Sequence, residues 1–282
     1  ISFLLLLTFS LMSFYPPEKA PVFTLKKFEK KMARVKPGLY ACKYEATNLE
    51  YNAFLAAVAK TGNEELLEKA RIKNENWGRE GYIQVVAENY HTHEAYSAYP
   101  VVNVSHEGAM LFCEWLTEQY NSYPKRKYKK VKFRLPAEEE WTLAAKAGHE
   151  NAVFPWGGYS LRNEKGQYMA NFRRVPQSFQ KGFDENGSIE VSHEPMKPMK
   201  LYNPVDAVHL LSPVSSFPPN DFGIHNISGN VAEMLAEHGS TKGGSWRSFG
   251  YYLRIDADDE NAGFTEPAPT IGFRYFMEVI EE

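Results

Sequence analysis

The stretch Asn226–Met234 reads NISGNVAEM. SPVSSFPPN precedes it at Ser212–Asn220, KGGSW follows at Lys242–Trp246, and IGFR lies beyond at Ile271–Arg274. Taken alone, the stretch reads as a helix start, with Asn226 or Ser228 as cap and Glu233 in the first turns near the positive end. Gly229 permits backbone geometry that a β-carbon would hinder. Its neighbours, rich in Pro, Gly and Ser, point instead to packed loops, and they decide how the rest of the chain is read.

At 282 residues the chain is long enough for one large domain or two small ones with a substantial core. Hydrophobic residues make up 43% and aromatics 14%, which excludes an intrinsically disordered chain. The net charge of −3 gives no global basis for nucleic-acid binding. The one basic run, Lys125–Lys130, reads as a solvated loop feeding a strand at Val131–Leu135. Residues 1–15, ISFLLLLTFSLMSFY, are apolar and uncharged but shorter than the roughly 20 residues of a membrane span. They resemble the hydrophobic region of a secretory signal, which implies export to a periplasm, an outer membrane or beyond. A buried N-terminal strand or helix is the other reading. No Cys follows the run directly, so a lipoprotein anchor is not supported. Cys42 and Cys113 are the two cysteines; they could pair or stand as buried thiols.

The pattern divides the chain into a signal-like segment at 1–15, a linker or edge element at 16–37, and one domain at 38–282. Gly38–Glu45 alternates as a strand. Thr47 and Asn48 cap a helix over Leu49–Lys60 with Tyr51, Phe54, Leu55 and Val58 on one face. A second helix is expected at Glu64–Ile72. Ser105 caps a helix whose stripe is Ala109, Phe112, Cys113 and Leu116. Lys132–Gly148 reads strand, turn, helix, with Pro136 just inside the helix start and Glu138–Glu140 complementing its dipole. Residues 174–220 hold seven prolines and read as irregular, a length that a compact domain rarely carries without metal ions or dense loop packing.

In order, KYEATNLEYNAF at Lys43–Phe54, YPVVNVSHEGAMLFCEWL at Tyr99–Leu116, RLPAEEEWTLAAKAG at Arg134–Gly148 and FPWGG at Phe154–Gly158 resemble conserved blocks of the formylglycine-generating enzyme, or sulfatase-modifying factor, family. Ala170–Asn171, FPPNDFGIHNISGNVAEM, KGGSW and GFR complete the resemblance, which covers most of residues 39–280. It implies an α+β fold, a formylglycine-generating-enzyme-like variant of the C-type lectin fold, low in regular structure and stabilised by calcium. By position it implies one Ca²⁺ site with side-chain oxygens from Asn226 and Glu233 and backbone carbonyls from Gly229 and Val231. Such a mixed oxygen set suits a hard cation. A second site begins at Asn171 and the Phe172 carbonyl, with Asp184 or Asp206 as candidate acids.

Active members of that family bind copper with a cysteine pair downstream of the GGS motif, and thiolates suit Cu(I). Here RSFGYYLR aligns with that segment, Gly250 stands at one cysteine position, and no Cys occurs after Cys113. Tyr275 stands where a disulfide partner for Cys113 is expected. Ala232 and Met234 replace two Trp residues, so the peptide cleft should differ. The resemblance therefore implies a non-catalytic, exported binding or scaffold module with a protein partner in the cell envelope. Gliding-motility and type IX secretion assemblies are examples of such a setting. Copper and nucleic acid are not expected. The alternative is an oxidoreductase of the same superfamily, formylglycine-generating or iron-dependent and sulfoxide-synthase-like, using His91, His93, His106 and Glu94.

Overall fold

Thr47 turns its hydroxyl onto the Glu50 amide (3.2 Å), and its own amide donates to the Glu50 carboxylate (3.1 Å). This reciprocal cap satisfies two otherwise orphaned donors and starts helix α1, Asn48–Lys60. The computed structural model describes residues 28–77, 86–173, 180–183, 189–191 and 210–282. The signal-like segment, Asp184 and Asp206 lie outside the described residues.

Asn63 caps the short helix α2, Glu64–Ala70. Ser105 caps α3, His106–Ser122, by accepting from the Gly108 amide at 2.9 Å. The buried stripe of α3 is the expected one, with Tyr120 added. Helix α4, Glu138–Lys146, starts after Ala137, whose amide donates to Glu140 at 3.1 Å. Pro136 thus sits outside the helix rather than in its first turn.

Four strands form an antiparallel sheet in the order β1 (Met32–Lys36), β2 (Leu39–Cys42), β9 (Phe276–Glu281), β3 (Lys130–Arg134). The C-terminal strand β9 is therefore central, with Ala41 and Arg134 both opposite Phe276. Because β1 pairs with β2, residues 32–36 form an edge strand of this sheet. The interval read as irregular contains a hairpin of β4 (Gln180–Phe183) and β5 (Ile189–Val191).

Helices α1 and α3 cover one face of the sheet with interlocked rings. Tyr51 stacks on Phe112 at 5.8 Å, and Phe54 meets Phe112 edge-on at the same distance. Phe112 also packs against Phe273 (5.5 Å) and Tyr275 (5.7 Å), joining helix to C-terminal segment. Such pairs add to the area they bury.

The stretch Asn226–Met234 does not become a helix. Asn226 (φ +49°), Gly229 (φ +80°) and Asn230 (φ +64°) are all left-handed, a region that Gly and Asn tolerate best. The chain turns through them and then extends into β6 (Ala232–Met234), which pairs antiparallel with β7 (Thr241–Lys242) and parallel with β8 (Ile271–Gly272). Ala232 and Met234 face the main core, while Glu233 points the opposite way. The two Trp replacements thus repack the interior; they do not line a cleft.

Phe112→Ala should cost about 3–5 kcal/mol in chemical denaturation, since Phe112 joins three elements at full burial. Leu143→Ala, at a partly exposed site on α4, should change stability by no more than about 0.5 kcal/mol. Equal losses at the two sites would contradict this packing.

Candidate functional site

Arg274 enters the interior from the IGFR turn and has no exposed surface. Its guanidinium donates to Glu233 Oε1 through Nη2 at 2.6 Å and Nε at 3.0 Å. The remaining donors reach the Cys42 carbonyl and the His225 carbonyl, both at 2.8 Å. Glu233 Oε2 also accepts from the Trp141 indole at 2.9 Å. A carboxylate offers about four acceptor sites, and here protein donors take them. Glu233, expected as a calcium ligand, anchors a buried ion pair in this structure.

A second carboxylate lies beside this pair. Glu45, fully buried just after β2, accepts from Asn226 Nδ2 (3.1 Å) and Asn230 Nδ2 (2.9 Å). Burial pushes its carboxyl up to about 8; Arg274 pulls the other way and Glu233 adds repulsion. The buried set therefore holds two carboxylates and one guanidinium. The Asn226 amide shows what could compensate the excess. Its Nδ2 faces Glu45, and its Oδ1 is buried without a partner, as is Ser228 Oγ. With Glu45 ionised, that oxygen suits a cation. With Glu45 protonated, the amide would turn its oxygen to the new hydroxyl.

Asn230 ties this site to the neighbouring loops. Its Oδ1 accepts from the Ser212 amide (2.8 Å) and from Asn171 Nδ2 (3.2 Å). The Asn171 carbonyl accepts from the Asn230 amide at 2.8 Å. A β-carbon at Gly229 would stand 2.5 Å from that carbonyl, so glycine is required by this approach. Asn171 and Gly229, assigned from sequence to two different metal sites, thus meet at one junction. Val231 is buried beside Trp246, and Phe172 packs its ring with Phe154 and Leu253. The sequence reading missed Glu45, Asn230, Arg274 and Trp141. The signal available was a charged residue inside apolar runs, Arg274 in GFRYF above all.

The histidines do not gather. His91 is buried and bonds Asn48 Oδ1 through Nδ1 at 2.9 Å. Asn48 Nδ2 donates to the Tyr90 and Tyr96 carbonyls, so its Oδ1 must accept and His91 Nδ1 must carry the proton. Burial lowers His91 to about 3. His93 instead caps a short 3-10 turn, accepting from the Ala95 amide, and His106 bonds the Leu235 carbonyl at 2.8 Å. Among the described residues no three His, Cys, Asp or Glu side chains form a metal cluster.

Cys42 and Cys113 are buried free thiols, and burial raises both. Tyr275 is buried in the aromatic core and packs beside Phe112. Gly250 opens a 3-10 turn, Gly250–Leu253. A β-carbon there would lie 2.3 Å from Leu161 Cδ1, the end of a flexible side chain that would have to turn aside.

With this geometry in view, three comparisons place the chain. The family profile of the sulfatase-modifying factor enzyme 1-like domain matches residues 23–279. The formylglycine-generating enzyme of Mus musculus is 28% identical over 202 residues, 63% of this chain and 44% of that protein. The inactive Cα-formylglycine-generating enzyme 2 of Bos taurus is 29% identical over 139 residues, 49% of this chain and 33% of its own length. The chain thus spans less than half the length of these relatives. Among solved structures, CarF aligns over 86% of this chain and 87% of its own, at 20% identity and a TM-score of 0.49.

Arg274→Met should lower stability by about 3–5 kcal/mol, because it leaves the buried Glu233 carboxylate without its partner. A change below about 1 kcal/mol would refute the central role of the pair. The two shifted groups also give opposed pH limbs. From pH 6.5 to 8 the folded state keeps a Glu45 proton that the unfolded chain releases, so stability falls as pH rises. Below 4.5 the unfolded chain protonates His91 and the folded state does not, so stability falls as pH drops toward 3. Between 4.5 and 6.5 the two oppose each other. Each limb has a slope of at most about 1.4 kcal/mol per pH unit. Denaturation midpoints across pH should lose the alkaline limb in Glu45→Gln and keep it in His91→Phe; the reverse pattern would reassign the titrating groups.

Proposed function

The chain belongs to the sulfatase-modifying factor family, and we propose that within it this protein is a non-catalytic, calcium-stabilised binding or scaffold module of the cell envelope. The observation that carries the reading is Gly250 itself, which stands at one of the family's copper-ligand positions in a chain with no cysteine after Cys113. The remaining thiols, Cys42 and Cys113, are buried with their protons held, so neither is a ready copper ligand. That a relative is named an inactive paralogue supports the idea that such domains persist without the chemistry. The apolar residues 1–15 support export.

The unpartnered Asn226 oxygen and the excess buried carboxylate fit a hard cation. Asn226 Oδ1 and the Gly229 and Val231 carbonyls would hold it, with Glu233 joining only by giving up a donor. The ion would supply charge compensation and cross-linking of the Asn226–Met234 turn to its neighbours. Asn171 and Phe172 then serve the junction beside it. No step of a reaction is assigned to these residues.

Two measurements test this. Incubation with a CxPxR peptide, copper and reductant should give no aldehyde by mass spectrometry; any turnover would overturn the non-catalytic reading. Calcium removal by EDTA should lower the melting temperature, and added Ca²⁺ should restore it. At a hundredfold excess over Kd the contribution is about 2.7 kcal/mol. Asn226→Ala should abolish the EDTA effect while leaving the Arg274–Glu233 pair intact. A metal-free protein that melts identically with and without Ca²⁺ would sink the calcium assignment.

A further inference from the structure

The loop at 153–173 and the segment at 246–255 pack together as one lobe around Phe154, Phe172 and Leu253. Its outer surface is unusual in composition. Tyr159 is 80% exposed, Tyr251 52% and Phe249 44%. Between these rings stand guanidinium groups. Arg173 lies 4.9 Å from the Phe249 centroid, Arg162 4.1 Å from Tyr168, and Arg254 5.8 Å from Tyr251. Exposed rings held under arginines are the chemistry that concentrates at the centre of protein interfaces. Such a large aromatic area is costly to leave in water.

Directly beside this lobe lies a cavity of about 590 Å³ between α4, β7 and residues 255–262. Five carboxylates line it, from Glu138, Glu150, Asp256, Asp258 and Asp259, against the ammonium groups of Lys146 and Lys242. Lys242 is already committed, to the Ala257 carbonyl at 2.9 Å and to Glu138 at 3.3 Å. Cavity and lobe share one seam. Val153 and Ile255 line the cavity and are joined by a backbone bond of 2.9 Å, while Phe154 and Arg254 open the lobe on the other side. The surface is therefore an arginine-aromatic half and an acidic hollow meeting along a line.

We infer that this face is the interface of a two-fold symmetric dimer, in which the arginine-aromatic lobe of each copy seats in the acidic hollow of the other. A two-fold axis sets element i of one copy against element j of the other, and j against i, so each lobe meets the other copy's hollow. A self-complementary patch must therefore carry both charges side by side, as this one does. The second copy is favoured over a foreign partner because one chain supplies both halves in the required adjacency. Along the axis the Arg254–Asp256 pair (2.8 Å) would exchange into two pairs between copies. The dimer needs neither the calcium reading nor the loss of oxidase chemistry.

Sedimentation velocity on the full chain tests this at low and high salt. The expected result is a dimer with a dissociation constant on the order of micromolar, for about 800 Å² buried per copy, weakening as salt rises. Phe249→Ala should weaken it about tenfold or more. Arg173→Glu with Arg254→Glu makes the lobe acidic; Glu150→Arg with Asp258→Arg makes the hollow basic. Each double variant alone should be monomeric, with an unchanged circular dichroism spectrum. An equimolar mixture should restore a heterodimer, because both swapped contacts are then attractive. A wild-type protein that stays monomeric at its solubility limit overturns the inference. So does a dimer that survives in both double variants, or a mixture of folded variants that fails to associate.

Discussion

The ion pair between Arg274 and Glu233 fixes most of what surrounds it. It has no solvent to fall back on, so each of its atoms must be satisfied by protein. Satisfying them draws together the end of β2 through Cys42, the His225 turn, helix α4 through Trp141, and the three-stranded sheet through β6. These elements lie far apart in sequence. A guanidinium offers five N–H donors in a fixed planar fork, against three on an ammonium, and so reaches the carboxylate and two carbonyls at once. The large proportion of loop in the domain is tolerable for this reason: a short sheet is enough when a buried charge pins the strands that it contains.

The same pair sets the electrostatics of the candidate site. Glu45 adds an acid whose proton burial holds up to about pH 8, since Arg274 is already bound to Glu233. The two Asn side chains at 226 and 230 offer Glu45 neutral donors, which stabilise a charge without cancelling it. The site is thus built around a buried acid beside an ion pair, with a bare amide oxygen at its edge. Asn230 then carries that network outward to Ser212 and Asn171, so that the buried acid is tied to loops with no regular structure of their own.

Local chemistry was legible in the sequence wherever the deciding interaction spans a few residues. The cap at Thr47, the Ser105 cap and the stripe Ala109, Phe112, Cys113, Leu116 follow from spacing alone. The ordered motif blocks were equally legible, and they carried the family. What could not be read was the partner of each buried polar group. Glu45 and Asn226 are 181 residues apart, and Arg274 and Cys42 are 232 apart. Nothing in the neighbourhood of Glu233 distinguishes a carboxylate that binds a cation from one that binds an arginine. The helix-start reading of NISGNVAEM failed because a cap pattern does not encode the sign of φ, and three residues there are left-handed. Ala232 and Met234 were read as surface for a similar reason: the two-residue period that turns them inward appears only once the strand has a partner.

Leu161 beside Gly250 has a consequence for the history of such a domain. A cysteine introduced at 250 would first meet the Leu161 methyl group, which a turn of that flexible side chain would clear. A thiol regained there needs only this repacking, and alone it is half of the cysteine pair that binds copper in active members of the family.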